Sequence, residues 1–153
     1  MMATARSVDS SGGGPNYAYG LDSTLGFSDD VTINTYWART ESEGLSEDDV
    51  SYRAQFDYNA DRYGVQLEHL AVGANFNPEV GFTRRRDMRR SFGELRFSPR
   101  PAGIASVRKF SWIASLNYIE NGAGVLETRE QTGAFSAELA NDDTTSVTYT
   151  RSY

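Results

Sequence analysis

The 153-residue chain carries 15 basic residues against 21 acidic ones, a net charge of −6. No window approaches the roughly 18 consecutive apolar residues of a spanning helix; that excludes a helical membrane protein but not a barrel, whose strands hide their lipid-facing residues in alternation. Cysteine is absent, which removes disulfide scaffolds and thiolate metal sites, and Lys109 is the only lysine. Almost all positive charge therefore sits on arginine, which resists deprotonation and forks onto carboxylates.

Residues 1–16, MMATARSVDSSGGGPN, hold many small polar residues and no apolar core. They read as a disordered or linker N-terminus and lack the pattern of a secretory signal peptide, so an envelope location would require a true N-terminus further upstream. From Tyr17 to Tyr153 the period is two. Tyr17, Tyr19, Leu21, Leu25 and Phe27 share one face; after Ser28-Asp29-Asp30, Val31, Ile33 and Trp37 follow. Tyr52, Ala54, Phe56 and Tyr58 then alternate with Arg53, Gln55 and Asp57, the cleanest run in the chain. Past Asn59-Ala60-Asp61, the residues Tyr63, Val65 and Leu67 oppose Gln66 and Glu68. A fifth strand is expected over Ser91–Pro99, setting Leu95 and Phe97 against Glu94 and Arg96. Phe110, Trp112, Ala114, Leu116 and Tyr118 define a sixth, Phe135, Ala137 and Leu139 a seventh, and Val147, Tyr149 and Tyr153 an eighth.

The connections carry a second signal. Turns at Ser28–Asp30, Asn59–Asp61 and Asn141–Asp143 are tight, whereas ESEGLSEDD, GANFNPEVGFTRRRDM and ENGAG are longer; the link at Pro99–Ala105 belongs with the tight set but exceeds its siblings. Alternation of short turns and longer loops is the habit of an up-and-down antiparallel barrel in an outer membrane. A soluble antiparallel sandwich also alternates, with its apolar face turned inward. Two features favour the membrane: opposite charges at strand centres (Arg53 with Asp57, Glu94 with Arg96), and aromatics repeated towards strand ends. The fold expected is all-β, an antiparallel up-and-down meander of about eight strands forming a segment of a transmembrane outer-membrane β-barrel. Its apolar face, with Phe56, Tyr58, Leu67, Trp112, Leu116 and Phe135, should be left uncovered by the rest of the chain.

The words NFNPEVGF and RRSFGELRFSPRP, inside VQLEHLAVGANFNPEVGFTRRRDMRRSFGELRFSPRP, together with RKFSWIASLNYIENGAGVLETREQTGAFSAEL, resemble a family of bacterial outer-membrane proteins. Its members join an N-terminal carbohydrate-binding module, similar to family-nine xylan-binding modules, to a C-terminal β-barrel of unassigned function. The likeness begins near Tyr19 and covers most of the chain. It implies an internal barrel segment whose partners are outer-membrane lipid, the rest of the barrel, an upstream carbohydrate-binding module and a saccharide ligand. It transfers no catalytic residue.

Five arginines, Arg84, Arg85, Arg86, Arg89 and Arg90, fall within seven residues. They suit an anion such as lipid phosphate or an acidic sugar, or else they neutralise Glu68, Glu79 and Glu94 along the barrel wall. Nucleic acid is excluded by the acidic remainder of the chain. Arg53, Asp57, Gln66, Glu68, Glu94 and Arg96 are expected to form a polar network on the lumenal face. In NFNPEVGF, Pro78 and Gly81 indicate a fixed turn that folds inward as a constriction. His69 is the only histidine, the acidic loop Glu41–Asp49 lacks EF-hand spacing, and no nucleophile elbow, P-loop or dinucleotide fingerprint occurs. No metal, cofactor or catalytic set is therefore expected. Passive transport or surface binding of saccharides is the leading function; a polysaccharide-acting hydrolase component and a soluble β-sandwich binding module are the alternatives.

Overall fold

Period-two alternation drives a chain into strands because successive side chains then leave on opposite faces. The structure, a computed structural model, describes residues 2–6 (backbone alone), 14–44, 47–78 and 85–153. One antiparallel sheet contains, in chain order, β1 (Met2–Arg6), β2 (Asn16–Ser28), β3 (Val31–Ser42), β4 (Val50–Asn59), β5 (Tyr63–Val72), β6 (Met88–Phe97), β7 (Val107–Asn121), β8 (Leu126–Leu139) and β9 (Thr144–Ser152). The eight runs legible in the sequence are β2–β9. β1 arises inside the segment read as disordered or linker, where Met2–Arg6 pairs with Asn16–Gly20. β6 begins three residues earlier than expected. Arg89 and Arg90 are held as strand by Ala71 and Leu70 on one side and by Glu120 and Ile119 on the other.

Each strand pairs only with its sequence neighbours, so the sheet is an open meander and not a closed barrel among the described residues. β1 and β9 run in the same direction, because an even number of antiparallel steps separates them. Connections 29–30, 60–62, 98–106 and 140–143 lie at one end of the sheet, and the strand ends joined by the β3–β4, β5–β6 and β7–β8 links lie at the other.

Residues paired directly across an antiparallel sheet share a face, so the register can be followed from strand to strand. One row runs Leu25, Ile33, Phe56, Leu67, Gly93 and Leu116. Another, nearer the short-turn end, runs Tyr63, Phe97, Trp112, Phe135 and Val147. The opposite face carries the row Thr32, Asp57, Gln66, Glu94, Ser115 and Thr132. Beside it runs Asn34, Gln55, Glu68, Phe92 and Asn117.

Among the described residues no segment covers the apolar face. Leu67, Leu95, Trp112 and Leu116 are exposed; Phe56, Tyr58 and Phe135, expected to be equally open, are half-buried by their sheet neighbours. Among the described residues the buried apolar side chains are Ala71, Val72 and Phe76 alone. Leu116 and Phe56 stand three strands apart in the same row, so no closed core joins them.

The small core sits at the long-loop end, where the chain leaving β5 doubles back over the polar face. Gly73 has no side chain because a Cβ there would collide with the Asp48 carbonyl. Glu47 and Asp48 adopt positive φ angles of 68° and 50°. Their carbonyls accept bonds from Asn75, from its side-chain amide at 3.0 Å and its backbone N–H at 3.0 Å respectively. Phe76 is thereby driven down to 8 % exposure. The Asn77 N–H then donates to Thr40 Oγ1 at 2.9 Å, and the Asn77 carbonyl accepts from Asn16 Nδ2 at 3.0 Å. Residues 73–78 thus cross β4 and β3 to reach β2, a span of about 14 Å at ordinary strand spacing. Residues 75–78 of NFNPEVGF lie over the polar face; the expected turn through Pro78 and Gly81 falls largely outside the described residues. Replacing Thr40 by Val keeps its volume and removes the acceptor for Asn77. Equilibrium unfolding should register a loss of about 1–3 kcal/mol, the penalty for orphaning a buried donor. Amide exchange should accelerate at 75–77 while β7 keeps its protection.

Candidate functional site

Arg53, Asp57, Gln66, Glu68, Glu94 and Arg96 occupy alternate positions on β4, β5 and β6, and the register brings all six to the polar face. They do not form the single network expected. Glu68 lies at its centre, its side chain only 12 % exposed. Arg90 Nη1 donates to Glu68 Oε1 at 2.9 Å, and Arg53 Nη1 stands 3.9 Å from Glu68 Oε2. Beyond the arginines lie two amides. Arg53 Nη2 donates to Asn34 Oδ1 at 2.7 Å, and Arg90 Nε to Asn117 Oδ1 at 2.7 Å. The resulting ladder, Asn34–Arg53–Glu68–Arg90–Asn117, spans β3 to β7. Each guanidinium also stacks on an aromatic ring: Arg53 lies 5.9 Å from the centroid of Tyr36, and Arg90 lies 5.3 Å from that of Phe92. Such contacts suit the planar guanidinium and hold it in place.

The two charge pairs inferred from spacing, Arg53 with Asp57 and Glu94 with Arg96, are replaced by other partners. Asp57 accepts from Gln55 Nε2 at 2.8 Å. Arg53 turns the other way because Glu68, on the adjacent strand, presents a carboxylate that lies between two arginines. Arg96 is drawn down to the β4–β5 turn, where it donates to the Ala60 carbonyl at 2.6 Å and to Asn59 Oδ1 at 2.9 Å. Its path crosses Gly64, where an added Cβ would stand 2.9 Å from Arg96 Nε. Asp57, Gln66 and Glu94 remain as a carboxylate–amide–carboxylate row below the ladder.

The arginine cluster is dispersed by the same alternation. Arg90 enters the ladder; Arg89, on the other face, stands 3.7 Å from Glu120. Arg85 pairs with Glu127 across the loop end, and Arg86 donates to Asn77 Oδ1. Arg84 lies outside the described residues, as does Glu79. Asn34, Asn117, Tyr36 and Phe92 are members that sequence reasoning passed over. Their parity placed them on the polar face, but only the pairing register sets them against Arg53 and Arg90. His69 points to the apolar face and meets Ser91 Oγ at 3.1 Å, away from Glu68. No group of metal-ligating side chains occurs among the described residues.

These features define an open antiparallel all-β meander with one bare apolar face and one face crossed by a charged ladder. Set against protein-family models, curated proteins and solved structures, the chain matches none of them.

Because Glu68 is mostly buried while its partners are about a third exposed, loss of one partner should be felt without being fatal. A double-mutant cycle with Glu68→Ala and Arg90→Ala should give a coupling of about 1–3 kcal/mol, typical of a hydrogen bond between charged groups. The cycle pairing Glu94→Ala with Arg90→Ala should stay below about 0.5 kcal/mol. At the short-turn end, the Arg100 guanidinium bonded to Asp61 holds that carboxyl below its usual range. A carboxylate lowered on folding stabilises the folded state above its unfolded pKa, and the contribution fades as pH falls through the folded value. Asp61→Asn should therefore make the decline in stability below about pH 4 shallower in acid titrations of unfolding.

Proposed function

We propose that the chain forms part of the wall of an outer-membrane β-barrel, with its apolar face in lipid and its polar face towards a water-filled passage that admits or holds saccharides passively. The observation that carries this reading is the uncovered apolar face. Leu21, Leu67, Leu95, Leu116 and their neighbours stay exposed along contiguous rows. Water tolerates contiguous apolar patches of only a few hundred Å² on most monomers, and burying each such side chain is worth about 1.5–3 kcal/mol. Hydrocarbon as the solvent on that side removes the conflict for the interior strands β2–β8, which pair on both sides.

The distribution of aromatics supports the same orientation. Tyr63, Phe97, Trp112 and Phe135 follow one another near the short turns, the first two contacts stacked and the third tilted, with ring centroids 5.3, 5.8 and 5.2 Å apart. Tyr19 and Trp37 meet near the other end at 6.1 Å. Two aromatic belts flanking an aliphatic band are the habit of strands that cross a bilayer. On the polar face, hydrogen-bonding side chains with no catalytic constellation suit selection by size, charge and hydrogen bonding. The sequence resemblance to barrel proteins that carry a carbohydrate-binding module points to saccharides as the ligand class.

Both tryptophans of the chain, Trp37 and Trp112, are exposed and belong to apolar rows, so the native protein reports its own orientation. In vesicles of phospholipid brominated along the acyl chain, emission from both should be quenched strongly, and aqueous iodide should have little effect. Emission indifferent to bromolipid, from protein recovered in the aqueous fraction, would instead indicate a sheet whose apolar face packs against another protein layer.

A further inference from the structure

We propose that the ladder at the middle of the polar face is a binding site for an acidic saccharide of the uronic-acid type, gripped by Arg53 and Arg90 together. The inference deepens the saccharide reading above and rests on it. Arg53 and Arg90 belong to strands on either side of β5, and the register sets both opposite Leu70. Their Cα atoms are therefore about 10 Å apart, two strand spacings, and their guanidiniums converge on the two oxygens of one carboxylate. Two positive charges thus share one negative charge. The flanking contacts, Asn34 and Asn117, are neutral amides; the other carboxylates of this face stand further off, Asp57 and Glu94 two rows away and Glu130 across from Asn117.

Donor capacity is in excess as well. A guanidinium offers five N–H donors. Arg90 commits Nε to Asn117 and Nη1 to Glu68, leaving Nη2 without an acceptor among the described residues. Arg53 commits Nη2 to Asn34, while its Nη1 lies at ion-pair distance only from Glu68. Both side chains remain about a third exposed, although the unpartnered Nε of Arg53 is itself buried. Planar guanidiniums fixed on the Tyr36 and Phe92 rings match the bidentate geometry of a carboxylate. The adjacent amides of Asn34, Gln55 and Asn117 are the donor–acceptor groups that sugar hydroxyls use. Lipid phosphate is a poor fit, because the site lies at mid-strand on the face opposite the apolar rows. Arg85 and Arg86, at the loop end, are not part of it.

The test uses the full chain in lipid vesicles and two matched probes, an oligogalacturonide and the same oligosaccharide with its carboxylates reduced to alcohols. The acidic form should bind about ten-fold or more tightly, and the preference should shrink towards unity in about 0.5 M salt. Arg90→Gln and, independently, Arg53→Gln should each lower the preference several-fold. Glu68→Gln, which frees both guanidiniums from their internal anion, should raise it; opposite responses from neighbouring substitutions are not expected of a purely structural network. Arg90→Lys, keeping charge without the fork, should fall between parent and Arg90→Gln. Equal binding of the two probes would overturn the acidic-sugar site while leaving passive saccharide handling intact. A fall in preference with Glu68→Gln would also overturn it. Binding of neither probe by protein whose tryptophans are quenched by bromolipid would remove the saccharide reading and this site, but not the membrane orientation.

Discussion

One register runs from β2 to β9, interrupted only by bulges towards the ends of the β2–β3 and β7–β8 pairings, and the molecule's two-sidedness depends on it. In a pleated sheet a slip of one residue transfers a strand's entire set of side chains to the other face. Here such a slip in β5 would carry Glu68 into the row of Phe56 and Leu116 and place Leu67 between Asp57 and Glu94. The apolar rows and the charged ladder therefore hold each other in place: neither face tolerates the other's residues. This mutual exclusion, more than the burial of any core, specifies the arrangement. Only Ala71, Val72 and Phe76 are buried apolar side chains among the described residues.

The inward turn of residues 73–78 illustrates how polar groups organise the long-loop end. Asn75 and Asn77 are bonded to backbone and side-chain groups contributed by the β3–β4 loop, β3 and β2. Thr40 and Ser51, both 1 % exposed, find partners there. The Tyr36 hydroxyl reaches Ser51 at 3.0 Å and carries the contact down towards the ring on which Arg53 rests. Loop anchorage and the charged ladder thus form a continuous polar path along β3 and β4. In the proposed orientation, it would link the mouth of the passage to its middle.

Charge on the polar face is layered. Arg53 and Arg90 occupy one row, Glu68 the next, and Asp57 with Glu94 the one after. Arginine is the residue for such a surface, because it stays charged when half-dehydrated and satisfies several acceptors with one rigid plane. Paired ions that lose hydration are favourable only when their hydrogen bonds are well matched. Arg90 meets that condition on both sides, whereas Arg53 leaves a buried Nε unsatisfied. The ladder is consequently asymmetric, tight at Arg90 and loose at Arg53.

The amino-acid sequence by itself determined the all-β class, eight of the nine strands, the tight turns and the membership of each face, because all of these follow from period two and from turn residues acting over a few positions. It also marked Glu68 as a partner for the arginines. What it did not contain was register. Spacing along one strand suggested Arg53 with Asp57 and Glu94 with Arg96, yet in a sheet the nearest side chains on a face belong to neighbouring strands, and tertiary pairing sent Arg53 and Arg90 to Glu68 and Arg96 to a turn. The early start of β6 and the strand at Met2–Arg6 have the same origin. Neither segment alternates cleanly, and each is extended because a neighbouring strand offers its backbone hydrogen bonds.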